Sequence, residues 1–275
     1  MLLVTAGAGF GSGSKRSWDL SGAEYTGVSF GCSSETTSAL DLSFNQTGTK
    51  LYVLGNSGPN FNTLFQYTIS NAWDVSSASY DSISYPSTTG SDTGGFCISD
   101  DGLKFFITAI GSDNIYQHTF STAFATSTLS ADPGFLSSSS ETTNPHDIFI
   151  RSDGLKLYIL GVTNPSAIFQ YSLTTAFASS TASYDGVSFS YGVANPRKFS
   201  FNQDGTTFYI TDITEVKTFQ FRLSTAWDLS TASSDGISVS STGQTSQITG
   251  IHFKPDGTKM YILSANNSNI YQYSL

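Results

Sequence analysis

Residues 252–275 read HFKPDGTKMYILSANNSNIYQYSL, and residues 17–30 read SWDLSGAEYTGVSF. Neither stretch is complete by itself. Joined end to start, they make one copy of a unit that the rest of the chain repeats. The unit opens with an apolar pair, a polar turn ending in Gly, then Lys or Thr and an apolar run with a central aromatic. Its copies are SFNQTGTKLYVLG, CISDDGLKFFITA, FIRSDGLKLYILG, SFNQDGTTFYITD and HFKPDGTKMYILS. The turn glycines Gly48, Gly102, Gly154, Gly205 and Gly257 stand 54, 52, 51 and 52 residues apart.

Two further signatures follow each copy. The first is an aromatic-Gln-aromatic triplet, with Gln66, Gln117, Gln170, Gln220 and Gln272 at its centre; His118 replaces its last aromatic once. The second is an aromatic after a small residue, leading into a Ser/Thr-rich stretch. Its aromatics are Trp18, Trp73, Phe124, Phe177 and Trp227.

Each unit reads as four strands. The D-G turn is a hairpin signal, because Gly tolerates positive φ. The run after it is apolar on both faces, as in a strand sandwiched between layers. No stretch has the 3.6-residue apolar period of a helix. Four-stranded units of this length stack radially, burying both faces of every sheet. The reading is therefore an all-β, single five-bladed β-propeller over residues 17–275. Its last blade lacks a fourth strand at Leu275, and the strand near Trp18–Phe30 supplies it. That closure removes the open edge and fixes the blade count.

Composition narrows the function classes. Charged residues are 12% of the chain, and 12 Lys and Arg stand against 21 Asp and Glu. A dominant phosphate-binding surface needs clustered cations, so nucleic acid is not an expected partner. No apolar run approaches the 18 or so residues that span a bilayer. The hydroxyl-rich, weakly charged surface suits a virion or extracellular location. Cys32 and Cys97 occupy different places in the repeat and read as free thiols, since a disulfide framework or zinc site needs more ligands at fixed spacing. No His pair has metal-ligand spacing, and no cofactor motif is present.

Residues 1–16, MLLVTAGAGFGSGSKR, lack the basic start of a signal peptide. This Gly/Ala/Ser-rich arm is expected to dock onto another virion or surface subunit.

The units resemble YVTN-type propeller repeats, on strings such as HFKPDGTKMYILS, YQYSL and AWDLSTASS. The resemblance covers residues 17–275, and is nearest to a variant found in bacterial and phage proteins. It implies a binding or scaffold module and carries over no catalytic residue.

Comparing the five copies separates scaffold from site. Residue types present in every copy serve every blade: the turn glycines, the glutamines and the Trp/Phe series. A ligand site breaks the symmetry, so its residues should differ among copies at one position. Ten residues before each turn glycine stand Ser38, Asp92, Asn144, Asn195 and Gln247. Eight before stand Leu40, Gly94, His146, Arg197 and Thr249, and seven before stand Asp41, Gly95, Asp147, Lys198 and Gly250. All enter the innermost strand, so they should ring the channel at one mouth. The loops carrying Asn56, Asn164, Asp212 and Asn266 should reach the same face. The candidate ligand-binding residues are Asp92, Asn144, His146, Asn195, Arg197 and Gln247.

The expected function is non-enzymatic binding or adhesion, with the mouth facing a receptor glycan. One alternative is a glycoside hydrolase using the channel carboxylates Asp41, Asp92 and Asp147, since such enzymes need two carboxyls about 5–10 Å apart. Another is a purely structural spacer or decoration protein.

Overall fold

The computed structural model describes residues 17–57, 60–87, 92–162 and 166–275. The arm 1–16 and Asn164 lie outside the described residues. The chain forms five separate four-stranded antiparallel sheets. Blade I holds Ala39–Phe44, Lys50–Ser57, Asn60–Ile69 and Ala78–Pro86. Blade II holds Thr93–Ile98, Lys104–Ala109, Asn114–Phe120 and Leu129–Ser137. Blade III holds Pro145–Ile150, Lys156–Gly161, Ala167–Leu173 and Ala182–Phe189. Blade IV holds Pro196–Phe201, Thr207–Asp212, Lys217–Leu223 and Ala232–Ser240. Blade V holds Ile248–Phe253, Lys259–Ser264, Asn269–Ser274 and, from the other end of the chain, Glu24–Gly31.

The closure is an antiparallel pairing in which Tyr25 faces Tyr273 and Phe30 faces Ile270. The Cys32 amide extends it by donating to the Ser268 carbonyl at 2.8 Å. Both aromatic-rich strands hide an apolar face in this way, and the last sheet has no missing member.

Five apolar clusters hold the ring, one at each seam between blades. Leu263 and Ile270 of blade V share a cluster with Leu42, Phe44 and Val53 of blade I, which seals the circle. The second strands are buried on both faces, as in Leu157–Leu160. The fold is therefore an all-β five-bladed propeller.

The three repeated signatures each have a mechanical role. At the turn, Gly205 has φ +70°, and a Cβ there would also collide with the Trp227 ring. Only Gly meets both conditions. Trp227 has φ +66° and donates its amide to the Gly205 carbonyl at 2.9 Å. The Tyr158 hydroxyl from the preceding blade then donates to the Trp227 carbonyl at 2.7 Å. Tyr52 reaches Phe124 and Tyr261 reaches Trp73 in the same manner. The Trp/Phe series is thus a structural part of the seams.

The glutamines staple the ring. Gln66 accepts from the Thr126 amide of the next blade at 2.9 Å, Gln117 from Ser179 at 2.8 Å, Gln170 from Leu229 at 3.0 Å and Gln220 from Leu20 at 2.9 Å. Their amide groups donate to Asp81, Asp132, Asp185 and Asp235 on the outermost strands. Those carboxylates in turn bind Lys50, Lys104, Lys156 and Arg222. A bulge beside each carboxylate turns it inward, with Ser82, Gly134, Gly186 and Gly236 at positive φ.

His118 is a buried member of its triplet. It packs against Phe105 and Tyr85, and neither ring nitrogen has a hydrogen-bond partner among the described residues. Burial pushes its pKa down to about 4, so it stands neutral in the core.

Candidate functional site

The innermost strands place their channel residues in separate layers. Each pairing with the second strand shifts register near the start of the innermost strand. The shift sets the residues eight and seven before each turn glycine at different depths. The sequence grouped them as one mouth; the structure divides them.

The layer of Asp41, Gly95, Asp147, Lys198 and Gly250 lies across the channel. Lys198 Nζ stands 3.0 Å from Asp41 Oδ2 and 3.6 Å from Asp147 Oδ1. It also donates to the Gly94 carbonyl at 2.7 Å. Lys198 is 3% exposed and the two carboxylates 5% each, so the triad is a buried plug. The glycine of blade II makes room for it, because a Cβ at Gly95 would collide with Lys198 Nζ and Asp147 Oδ1. The carboxylates are further held by amides. Asp41 accepts from Leu42 at 2.8 Å and Phe96 at 3.0 Å, and Asp147 accepts from Phe199 at 2.9 Å. Burial still pushes both carboxyls above their ordinary range, Asp147 to about 7, against the lowering pull of Lys198.

Above the plug is a cavity of about 240 Å³. Its wall includes all five residues of the next layer, Leu40, Gly94, His146, Arg197 and Thr249, together with Gln247. Of the six expected ligand residues, His146, Arg197 and Gln247 therefore meet around one space. Asp92 is exposed and lies outside that wall, as do Asn144 and Asn195, which are half-buried. The Asn195 side chain donates to Thr214 at 3.2 Å. Asn144 buries its side-chain oxygen without a partner among the described residues. Of the expected loop residues, Asn266 is committed, accepting from Thr245 and Ser264 at 2.7 Å each, whereas the Asn56 side chain lies outside the described residues.

Arg197 and His146 form the polar part of this mouth. Arg197 Nη1 stands 3.2 Å from both ring nitrogens of His146. Burial, then Arg197, then Lys198 push the imidazole down to about 3, so it carries no charge at neutral pH. Burial also pulls the Arg197 pKa below its ordinary value.

A second cavity, of about 190 Å³, opens on the D-G turn side of the plug. Ser43, Cys97, Phe149, Ser200 and His252 line it, each five residues before a turn glycine. The sequence reading passed over this layer. The same comparison of copies, applied at that spacing, would have found it, because its members also differ, with only Ser shared by two copies. Burial pushes His252 down to about 4, and its ring stacks on Trp73 at 6.4 Å and 17°.

Cys32 and Cys97 are both free thiols. Cys32 donates to the Ser268 carbonyl at 3.1 Å, and burial pushes its pKa up to about 12. Among the described residues no group of three or more His, Cys, Asp or Glu could hold a metal ion. Among the described residues no helix is long and apolar enough to cross a membrane.

The fold and the layered channel define a five-bladed propeller with a plugged axis and two shallow mouths. No family model and no curated protein matches the sequence. The chain is similar to a protein of unknown function from Desulfotomaculum acetoxidans DSM 771, at 14% identity, with 82% of this chain and 62% of that one covered and a TM-score of 0.47. It is also similar to hydrazine synthase of Kuenenia stuttgartiensis, at 11% identity, covering 83% of this chain and 56% of that one, with a TM-score of 0.48. A Bacteroides uniformis ATCC 8492 protein, proposed to be a 6-phosphogluconolactonase, matches at 13% identity over 85% of this chain and 71% of that one, with a TM-score of 0.49. The chain thus spans less than two thirds of the first two. These likenesses carry nothing about activity.

Proposed function

We propose that the chain is a non-enzymatic binding module, displayed on a virion or extracellular surface, whose upper mouth engages a receptor glycan. The observation that carries this reading is the layer Leu40, Gly94, His146, Arg197 and Thr249. It differs in every blade, yet it sits on a scaffold whose other signatures repeat five times. A blind mouth above a buried plug offers a shallow, shaped surface, suited to holding a ligand at its rim rather than passing one through.

The hydroxyl-rich, weakly charged composition supports display outside a cell, and the resemblance to YVTN-type repeats supports a binding or scaffold role. On the same reading residues 1–16 are the attachment arm to a partner subunit. A hydrolytic role draws no support from the geometry. Asp41 and Asp147 are engaged by Lys198 and by backbone amides, while Asp92 is exposed and lines neither cavity.

A glycan array probed with the whole chain tests the proposal. Binding to a restricted set of glycans, reduced by Arg197→Ala, is expected. Absence of any binding would refute it and leave the spacer role.

A further inference from the structure

We infer that the ligand of the upper mouth carries an anionic group, a sugar carboxylate or sulfate ester, and that Arg197 is the residue that anchors it. This rests on the reading of that mouth as the glycan-binding face.

Ten of the 12 Lys and Arg lie among the described residues, all but Lys15 and Arg16. Eight of the ten form ion pairs: Lys50, Lys104, Arg151, Lys156, Lys198, Lys217, Arg222 and Lys254. Lys259 donates to the Trp73 carbonyl at 2.9 Å. Arg197 alone, among the described cations, is held by neither a carboxylate nor a carbonyl. Among the described residues its only polar contact is with the His146 ring.

The carboxylate whose field reaches Arg197 is that of Asp212. That group is already spent on three backbone amides. It accepts from Asn195 at 2.8 Å, from Thr214 at 2.6 Å and from Glu215 at 2.8 Å. The protein therefore holds a half-buried guanidinium without its usual counter-ion, in a chain whose formal charge is −9. Leaving a cation partly desolvated and unpaired is costly, and an arriving anion relieves the cost.

The surroundings favour a planar or tetrahedral oxyanion on a small body. Leu40, Ile213 and Ala265 form apolar wall, which lowers the local dielectric and strengthens an ion pair. The guanidinium fork matches a carboxylate or sulfate bidentately. Neutral His146 backs the guanidinium without repelling it. On the rim, the Gln247 side chain has no protein partner among the described residues and is exposed, free to meet sugar hydroxyls.

The test uses matched sugars titrated against the whole chain by calorimetry. The pairs are sialyl-lactose with lactose, glucuronate with glucose, and galactose 6-sulfate with galactose. The expected result is tighter binding of at least one acidic member than of its neutral twin. Arg197→Gln should remove about ten- to hundredfold of that affinity and abolish the preference. Arg197→Lys should retain part of it, and Arg151→Gln should change nothing. Equal binding of neutral and acidic members would overturn the anion inference while the mouth remains a glycan site. Acidic binding indifferent to Arg197→Gln would place the anion elsewhere and also overturn it. If no sugar of any kind binds, both this inference and the underlying function fall. The comparison of matched sugars on the unaltered chain decides even if a variant fails to fold.

Discussion

Replacing Lys198 by Met should destabilise the whole ring. The substitution keeps the length and apolar stem of the side chain but removes its ammonium. It thereby withdraws the partner of Asp41 Oδ2 at 3.0 Å and of Asp147 Oδ1 at 3.6 Å, and orphans the Gly94 carbonyl bonded at 2.7 Å. All three charged groups are nearly inaccessible, so water cannot take over. Breaking a buried ion pair by removing one partner costs about 3–5 kcal/mol. At about 2–4 °C per kcal/mol for a chain approaching this size, the midpoint should fall by roughly 6–20 °C. The pH dependence has a definite sign. Burial raises both carboxyls in the folded state, so the native protein holds protons that the unfolded chain releases. The plug's own contribution to stability is then greatest below the ordinary carboxylate range and declines as pH rises towards about 7, where Asp147 ionises. Without Lys198 the decline should steepen, because nothing offsets the two negative charges. Thermal unfolding followed by circular dichroism at pH 5 and pH 8 reads both effects. Lys217→Met is the control, since it breaks an exposed pair with Glu215 and should cost under about 1 kcal/mol. A Lys198→Met midpoint within about 2 °C of the parent at pH 8, or a larger loss at pH 5, would refute the role given to the plug.

Three other outcomes are expected. Gln170→Leu should leave the Leu229 amide unsatisfied at the seam of blades III and IV, costing about 1–3 kcal/mol and accelerating hydrogen exchange at Leu229 ahead of other seams. Gly205→Ala should lower the midpoint by at least several degrees, since it sets a Cβ into the Trp227 ring at a φ of +70°. A melt unchanged by it would show that the aromatic is free to move. Deleting residues 1–31 should strip the outermost strand from blade V, producing oligomers in size-exclusion chromatography and loss of a single cooperative transition; adding a peptide of residues 17–31 should reverse it.

The ring was legible because its determinants are local and repeated. A turn glycine, a central glutamine and an aromatic at fixed spacing recur wherever the same mechanical task recurs. The split copy at the two ends announced the pairing of Tyr25 with Tyr273. The channel was legible only in part. Counting back from Gly154 finds His146 and Asp147 as neighbours, but the register shift between Pro145 and Asp147 sends them to different depths. One lines the mouth and the other joins the plug. Nor does spacing reveal that Gly95 is small so that Lys198 can cross the axis, because that fit joins residues 103 apart in sequence. The lower cavity was missed although its layer, Ser43 to His252, obeys the same broken symmetry.

The inward kink beside Asp81, Asp132, Asp185 and Asp235 has a consequence for solubility. Five similar outermost strands in one molecule, each with bare amides and carbonyls, could act as templates for one another and for other copies. Interrupting each ladder midway, at Ser82 or at a glycine, denies an approaching strand a continuous row to zip against. The same residues that aim a carboxylate at the seam thereby guard the circumference against fibre growth, at four places and without a covering loop.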